Sequence, residues 1–289
     1  MSGETPDSRQ LCLMVGTCIT FGLQYLLSMS EEFRQRYRLQ AYRTHRHQQF
    51  MSDFAIGDEE LNAASVFIYH TPGWADWGNE QGYHELLARV PAHVQRISIP
   101  YPIFPPLWPF HVYDPRNDAP DRALFPHGAP AHYPYGDGVV LRMMRQGLPK
   151  EEIIRRYLDM DVSDEIGLDA LLEKSIEIQA VKEENTDVKV LDFVASEFRR
   201  QPAFLTMNHV GNPTLIHMAD QILGRLGCAP LGPFAHRGLF HLVSPQMPIH
   251  PSVIRHFGLT YVTPESRYAF DTFRNLTLEE YLSFYIDFA

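Results

Sequence analysis

Two side chains sit where nucleophilic chemistry can use them: the thiol of Cys18 in VGTCIT and the imidazole of His209 in TMNHVG. Leu11–Val15 is a short, wholly apolar run, as expected of a strand buried on both faces. Gly16 permits a tight turn after it, and Ile19, Leu23, Leu26 and Leu27 then recur at helical spacing. Cys18 therefore falls in the first turn of a helix, where unpaired backbone N–H groups and the positive end of the dipole favour a thiolate. The same position also suits a thiol that is only a small buried apolar group. Cys12, inside the strand, and Cys228, after a later helix, read as packing residues.

An imidazole at another strand end gives such a thiol a partner. His209 can keep Cys18 ionised or take the proton from an incoming hydroxyl, which makes the two a nucleophile and its base. The turn Gly16, Thr17, Cys18, Ile19 offers backbone N–H groups for a developing oxyanion. His70, at the end of SVFIYH, and Asn208, beside His209, are the further side chains placed to meet a substrate.

These residues converge only if their strands share an open parallel sheet, which collects ligands outside the carboxyl ends of its strands. The pattern supports that. GDEELNAASVFIYHTPG reads as a helix and then a strand, Ser65 to His70, and GYHELLARVPAHVQRISIPYP repeats the order with a helix to Val90 and a strand from Val94 to Ile99. Strands alternating with helices imply an α/β fold: a parallel-sheet core with helices on both faces. Tyr42–His47 is a candidate edge strand that would put His45 and His47 on one face. Pro100–Pro134 holds ten prolines together with Trp108, Phe110, Tyr113 and Tyr133, so it is a long ordered loop, either a cover for a site or a surface wrap.

From Gly138 the chain turns helical, with Pro149 in a first turn and Ser163 and Thr186 as expected N-caps. Leu168, Leu171, Leu172, Ser175, Ile176 and Ala180 form the expected buried stripe of one of these helices. AFLTMNH then resumes the strand pattern, followed by a helix opening at Asn212 and Pro213 and ended by Gly227. Thr277 and Glu280 make a capping box for a terminal helix. The expected division is residues 10–134 for the first part of the α/β core with its loop, 138–201 for a helical insertion, and 202–289 for the rest of the core.

Composition narrows the function. At 289 residues and 45% hydrophobic, the chain can build a sizeable core, and its net charge of −10 argues against nucleic-acid binding. Three cysteines without paired spacing imply a reducing, cytoplasmic setting, and neither a signal peptide nor a membrane span is expected in Leu11–Met29. Fourteen histidines show no metal-ligand spacing, so no metal is expected. There is no GxSxG, P-loop or GxGxxG, which disfavours serine hydrolases, nucleotidases and dinucleotide enzymes.

VGTC after a first strand, IYHTPG, RISIPYP leading into a proline and aromatic loop, FLTMNH before a helix, PIHPSV and LTLEEYLSFYID occur in an order that resembles the WcbI-type polysaccharide biosynthesis family, from Leu11 to Phe288. The resemblance implies an enzyme that binds coenzyme A and moves an acetyl group from acetyl-CoA to a hydroxyl of a capsular or exopolysaccharide sugar, so a sugar nucleotide or glycan acceptor is the expected partner. In the family the first motif usually reads Gly-Asn-Cys-Gln; its cysteine maps onto Cys18, while Thr17 and Ile19 replace the Asn and Gln. The family's Asn-His pair maps onto Asn208 and His209, with the proline that commonly follows displaced to Pro213. The coenzyme's phosphates need cations, and Arg142, Arg145 and Lys150 at the mouth of the helical section are the candidates. A Cys-His ester or thioester hydrolase, or a non-catalytic protein that binds coenzyme A or polysaccharide, uses the same residues.

Overall fold

The computed structural model describes residues 7–43, 56–72, 80–114, 116, 135–232, 246–270 and 274–287. In chain order its elements are β1 (Gln10–Gly16), α1 (Ile19–Met29), α2 (Glu31–Arg36), β2 (Tyr37–Arg43), α3 (Asp58–Ala63), β3 (Ala64–His70), α4 (Glu80–Arg89) and β4 (Gln95–Ile99). There follow β5 (His111–Val112), β6 (Gly136–Asp137), α5 (Gly138–Arg145), α6 (Lys150–Asp159), α7 (Val162–Glu165), α8 (Leu168–Glu183) and α9 (Leu191–Glu197). The last are β7 (Phe204–Thr206), β8 (His209–Val210), α10 (Asn212–Arg225), α11 (Pro251–Phe257), β9 (Tyr268–Ala269), β10 (Asn275–Leu276) and α12 (Leu278–Asp287). The chain folds into two compact units: Met1–Pro102 with Ile178–Ala195 and Val210–Leu242, and Ile103–Glu177 with Ser196–His209 and Val243–Ala289.

The first unit carries the α/β core. Its four strands run parallel in the order β2-β1-β3-β4. Leu11, Leu13 and Val15 join Phe67, Tyr83 and Leu86 in one buried cluster, while Cys12 and Met14, pointing the opposite way, are fully buried too. Both faces of β1 are thus covered, as its unbroken apolar run requires. α1 packs against α10. The outer edge of β4 is taken up by residues 187 and 188: the Ser98 carbonyl accepts from the N–H groups of Asp187 and Val188, and the Ser98 N–H donates to Asp187 Oδ2 at 2.8 Å.

Three expectations about elements change. The edge strand begins earlier, because the in-out alternation starts at Tyr37, Leu39 and Ala41; residues 44–55, with His45 and His47, lie outside the described residues. Phe204–Thr206 does not extend the parallel sheet but pairs with β8, a two-stranded piece bounded by a tight turn in which the N–H groups of Asn208 and His209 donate to Thr206 Oγ1 at 3.4 and 3.1 Å. Ser163 and Thr186 are not helix caps. Asp161 caps α7, and the Glu183 carboxylate takes the N–H groups of Val190 and Leu191 at the start of α9.

The second unit has a helical core in which Val139, Val140, Ile153 and Tyr157 meet Phe270, Leu278, Tyr281 and Tyr285 of the C-terminal part. The capping box at α12 is formed, with the Thr277 N–H donating to Glu280 Oε2 at 2.9 Å and the Glu280 N–H to Thr277 Oγ1 at 3.3 Å. The described part of the proline and aromatic loop is pinned here: Trp108 donates to the carbonyls of Met247 and Pro248, and Phe104 stacks on Phe204. Tyr133 lies outside the described residues.

Candidate functional site

The first unit gathers Gly16, Thr17, Cys18, Ile19 and His70 at the carboxyl ends of β1 and β3. β1 ends at Gly16, and two residues later Cys18 takes the N-cap of α1 with no side-chain hydrogen bond capping that helix and no acidic residue in its first turn. The N–H groups of Thr20 and Phe21 in the first helical turn donate to the carbonyls of Thr17 and Cys18 at 3.0 Å. Cys18 is half-exposed, whereas Cys12 and Cys228 are buried, and burial pushes the Cys12 thiol far above its ordinary pKa. Thr17 and Ile19 are nearly covered.

Packing explains why the turn needs glycine. A Cβ on Gly16 would stand 2.6 Å from Thr20 Cγ2 and 3.2 Å from His70 Nδ1, so the imidazole lies against the backbone at that point. Nδ1 of His70 accepts from the Thr17 N–H at 3.4 Å, and the His70 carbonyl accepts from the Tyr83 hydroxyl at 2.7 Å. His70 is fully buried. It braces the thiol-bearing turn.

Two buried hydroxyls beside the turn, Thr17 Oγ1 and Thr71 Oγ1, have no hydrogen-bond partner among the described residues. Buried polar atoms are ordinarily satisfied, so this pair at the sheet's carboxyl end is an exception to the usual pairing. Close by, the edge of Tyr101 meets His70 with ring centroids 6.0 Å apart, and Lys182 donates to the Tyr101 carbonyl at 3.3 Å with Nζ 5.8 Å from the Tyr101 ring. Burial lowers the Lys182 ammonium to about 8.

Tyr101 follows a strand end in the sequence as well, whereas Lys182 is the residue here that the sequence did not single out. The expected stripe on α8 hid Lys182. Its buried face runs through Leu168, Ser175, Gln179, Lys182 and Glu183, while Ala180 is exposed and Ile178 and Val181 are 41% and 52% exposed. The helix is turned polar-inward towards its C-terminal end. Polar residues at 175, 179, 182 and 183 recur at helical spacing, and that was the available signal.

Asn208 and His209 belong to the second unit. The His209 N–H donates to Thr206 Oγ1, and its Nδ1 shares a 2.9 Å hydrogen bond with the Tyr135 hydroxyl. If Nδ1 carries the proton, Tyr135 accepts and Nε2 keeps its lone pair, which is the tautomer a general base requires. The cations expected to hold phosphate lie in this unit too. Arg142 pairs with Glu165 at 3.2 Å, Lys150 with Asp287, and Arg145 is exposed in the last turn of α5. A phosphate on Arg142 or Lys150 would have to displace a carboxylate. Among the described residues no group of three or more His, Cys, Asp or Glu side chains is placed to hold a metal ion, and no helix is long and apolar enough to cross a membrane.

A family described as polysaccharide biosynthesis enzyme WcbI matches residues 11–231. Among solved structures, one of WcbI, described as a novel polysaccharide biosynthesis enzyme in its native form without a disulfide bond between coenzyme A and a cysteine, superposes with a TM-score of 0.71 at 16% identity. The match covers 97% of this chain and 90% of that one, and at that identity it speaks for the fold. No curated protein matches the chain.

Proposed function

The chain belongs to the WcbI family of polysaccharide biosynthesis enzymes, and from that premise we propose that it transfers an acetyl group from acetyl-CoA to a hydroxyl of a capsular or exopolysaccharide sugar. The observation that carries the reading is the half-exposed thiol of Cys18 at the uncapped start of α1, on a turn that Gly16 and buried His70 hold in place. The solved relative is described as a form without a disulfide bond between coenzyme A and a cysteine, and that naming of the two groups together supports the same choice of group.

In this reading the Cys18 thiolate attacks the thioester carbonyl carbon, the carbon–sulfur bond to coenzyme A breaks, and coenzyme A leaves as a thiol after taking a proton. The N–H of Ile19 and the hydroxyls of Thr17 and Thr71 are the donors for the oxyanion. A sugar hydroxyl then attacks the acetyl-cysteine, losing its proton to an imidazole, and Cys18 is released. His209, held by Tyr135, is the imidazole assigned to that proton. Lys182 supplies positive charge for a coenzyme phosphate, ahead of the already paired Arg142 and Lys150; Arg145 remains a further cation for that role.

Mixing the protein with acetyl-CoA and following thiol release, with and without sugar acceptors, tests the reading. Release that depends on a sugar, with a transient acetyl on Cys18 by mass spectrometry, is the expected result. Release that water alone supports makes the protein a thioester hydrolase, and no release in any mixture leaves a binding protein. The setting in a reducing cytoplasm is part of the same proposal, since the thiol must stay reduced.

A further inference from the structure

Within the first unit, the two outer strands of the parallel sheet differ. β4 has backbone groups of Ser98 taken by residues 187 and 188, whereas β2 has no strand on its outer side among the described residues. β2 runs for seven residues, and in a parallel pair every second residue turns its N–H and C=O away from the neighbouring strand. A further strand laid along β2 therefore finds several backbone groups to join.

The side chains of β2 say which strand fits. Its register with β1 sets Arg38, Gln40 and Tyr42 level with Leu11, Leu13 and Val15 on one face of the sheet, and Leu39 and Ala41 level with Cys12 and Met14 on the other. Arg38 and Gln40 are exposed, and Leu39, Ala41 and Tyr42 are half-buried. The Tyr42 hydroxyl donates to Glu60 Oε1 at 2.6 Å, so this ring carries a carboxylate at its tip. About Gln40 the strand complements its own reverse. Laid antiparallel on a two-fold axis at that residue, Arg38 of each copy stands opposite the Tyr42–Glu60 pair of the other, Leu39 opposite Ala41, and Gln40 opposite Gln40. A cation meets a ring and a carboxylate, apolar meets apolar, and amide meets amide.

We propose that the chain pairs with a second copy of itself through β2, antiparallel about a two-fold axis at Gln40, so that four strands from each copy form one sheet. An axis perpendicular to the sheet keeps the same face up in both copies. α1, which packs on β2, then lies on one side of the joined sheet in both, and its exposed Phe21, Tyr25 and Met29, spaced four residues apart, add an apolar row to that side. The strands of the two copies run in opposite directions, so the two Cys18 turns open at opposite ends and neither obstructs the other. The pairing does not depend on the acetyl-transfer reading.

Sedimentation velocity on the full chain, loaded from about 1 to 100 μM, should show a concentration-dependent dimer, weak because a single strand edge buries little area. Gln40→Lys and Gln40→Glu each put like charges face to face on the axis, and each should raise the dissociation constant about tenfold, while Lys174→Ala, in an exposed ion pair on α8, should leave it unchanged. Mixing the two charge variants should restore the dimer, since opposite charges then meet on the axis. Thermal melts confirm that each variant is folded. A monomer at every loading, a dimer that survives both charge variants in folded protein, or a mixture that stays as weak as its components each overturns the proposal.

Discussion

Gly16 is the residue on which the thiol's placement turns. A methyl group there meets Thr20 Cγ2 at 2.6 Å and the His70 ring at 3.2 Å, and neither neighbour can give way without moving the turn. Gly16→Ala is therefore expected to cost about 1–3 kcal/mol by overcrowding and to lower transfer activity more than it lowers stability. Urea titration and kcat/KM on the same preparation check this; equal activity in the variant would show that the turn tolerates displacement. Burial also separates the thiols. Brief alkylation of the native protein followed by peptide mapping should label Cys18 and spare Cys12 and Cys228, and labelling of Cys12 at a comparable rate would contradict the buried strand.

Lys182 carries an opposing pair of effects. Its folded value of about 8 lies below the ordinary 10.5, so the contribution of this group to stability is present above about 10.5 and is lost as pH falls through about 8. At neutral pH the buried ammonium is a cost to the fold. Lys182→Met should then hold or raise the melting temperature at neutral pH while reducing kcat/KM for acetyl-CoA. A clear loss of melting temperature would mean that the ammonium stabilises the fold after all.

Among the elements, α5 depends on one carboxyl group. Asp137 caps it from the buried side, and burial outweighs the Tyr157 and backbone hydrogen bonds to raise its pKa from 3.8 to about 6. The folded state therefore takes up a proton that the unfolded chain binds only in stronger acid. Its contribution is complete below about pH 3.8 and lost as pH rises through about 6, amounting to about 3 kcal/mol across that window. Urea titrations at several pH values should show this slope in the native chain and not in Asp137→Asn; an unchanged slope would assign it to other groups. β1, β3 and β4 were legible in the sequence because each is an apolar run closed by turn residues. β7 was legible only as a strand, since three residues say nothing about which sheet they join. Of the stripe expected on α8, Leu168 and Ser175 are buried and Leu171, Leu172 and Ile176 partly so, but Ala180 is exposed, because towards the C-terminal end the buried face passes to Gln179, Lys182 and Glu183, a change that periodicity alone does not resolve.

At the scale of the whole molecule, each unit is assembled from separated stretches of chain. The α/β class follows from the order of strands and helices, and so does the position of Cys18 at a strand end. The division into units does not, because it depends on which distant helices cover which faces; α1, for instance, packs on α10, far along the chain. A fragment ending at Pro102 keeps all four parallel strands but loses α10 and the 187–188 cover of β4. Circular dichroism and urea titration should show it without a cooperative transition, whereas the full chain has one; a cooperatively folding fragment would show that the strands and their own crossover helices suffice.

The cover on β4 has an effect beyond the fold of one chain. With the Ser98 carbonyl and N–H already engaged by Asp187 and Val188, a strand offered by a neighbouring molecule finds that rung taken, which shortens the stretch of border on which two molecules could zip together.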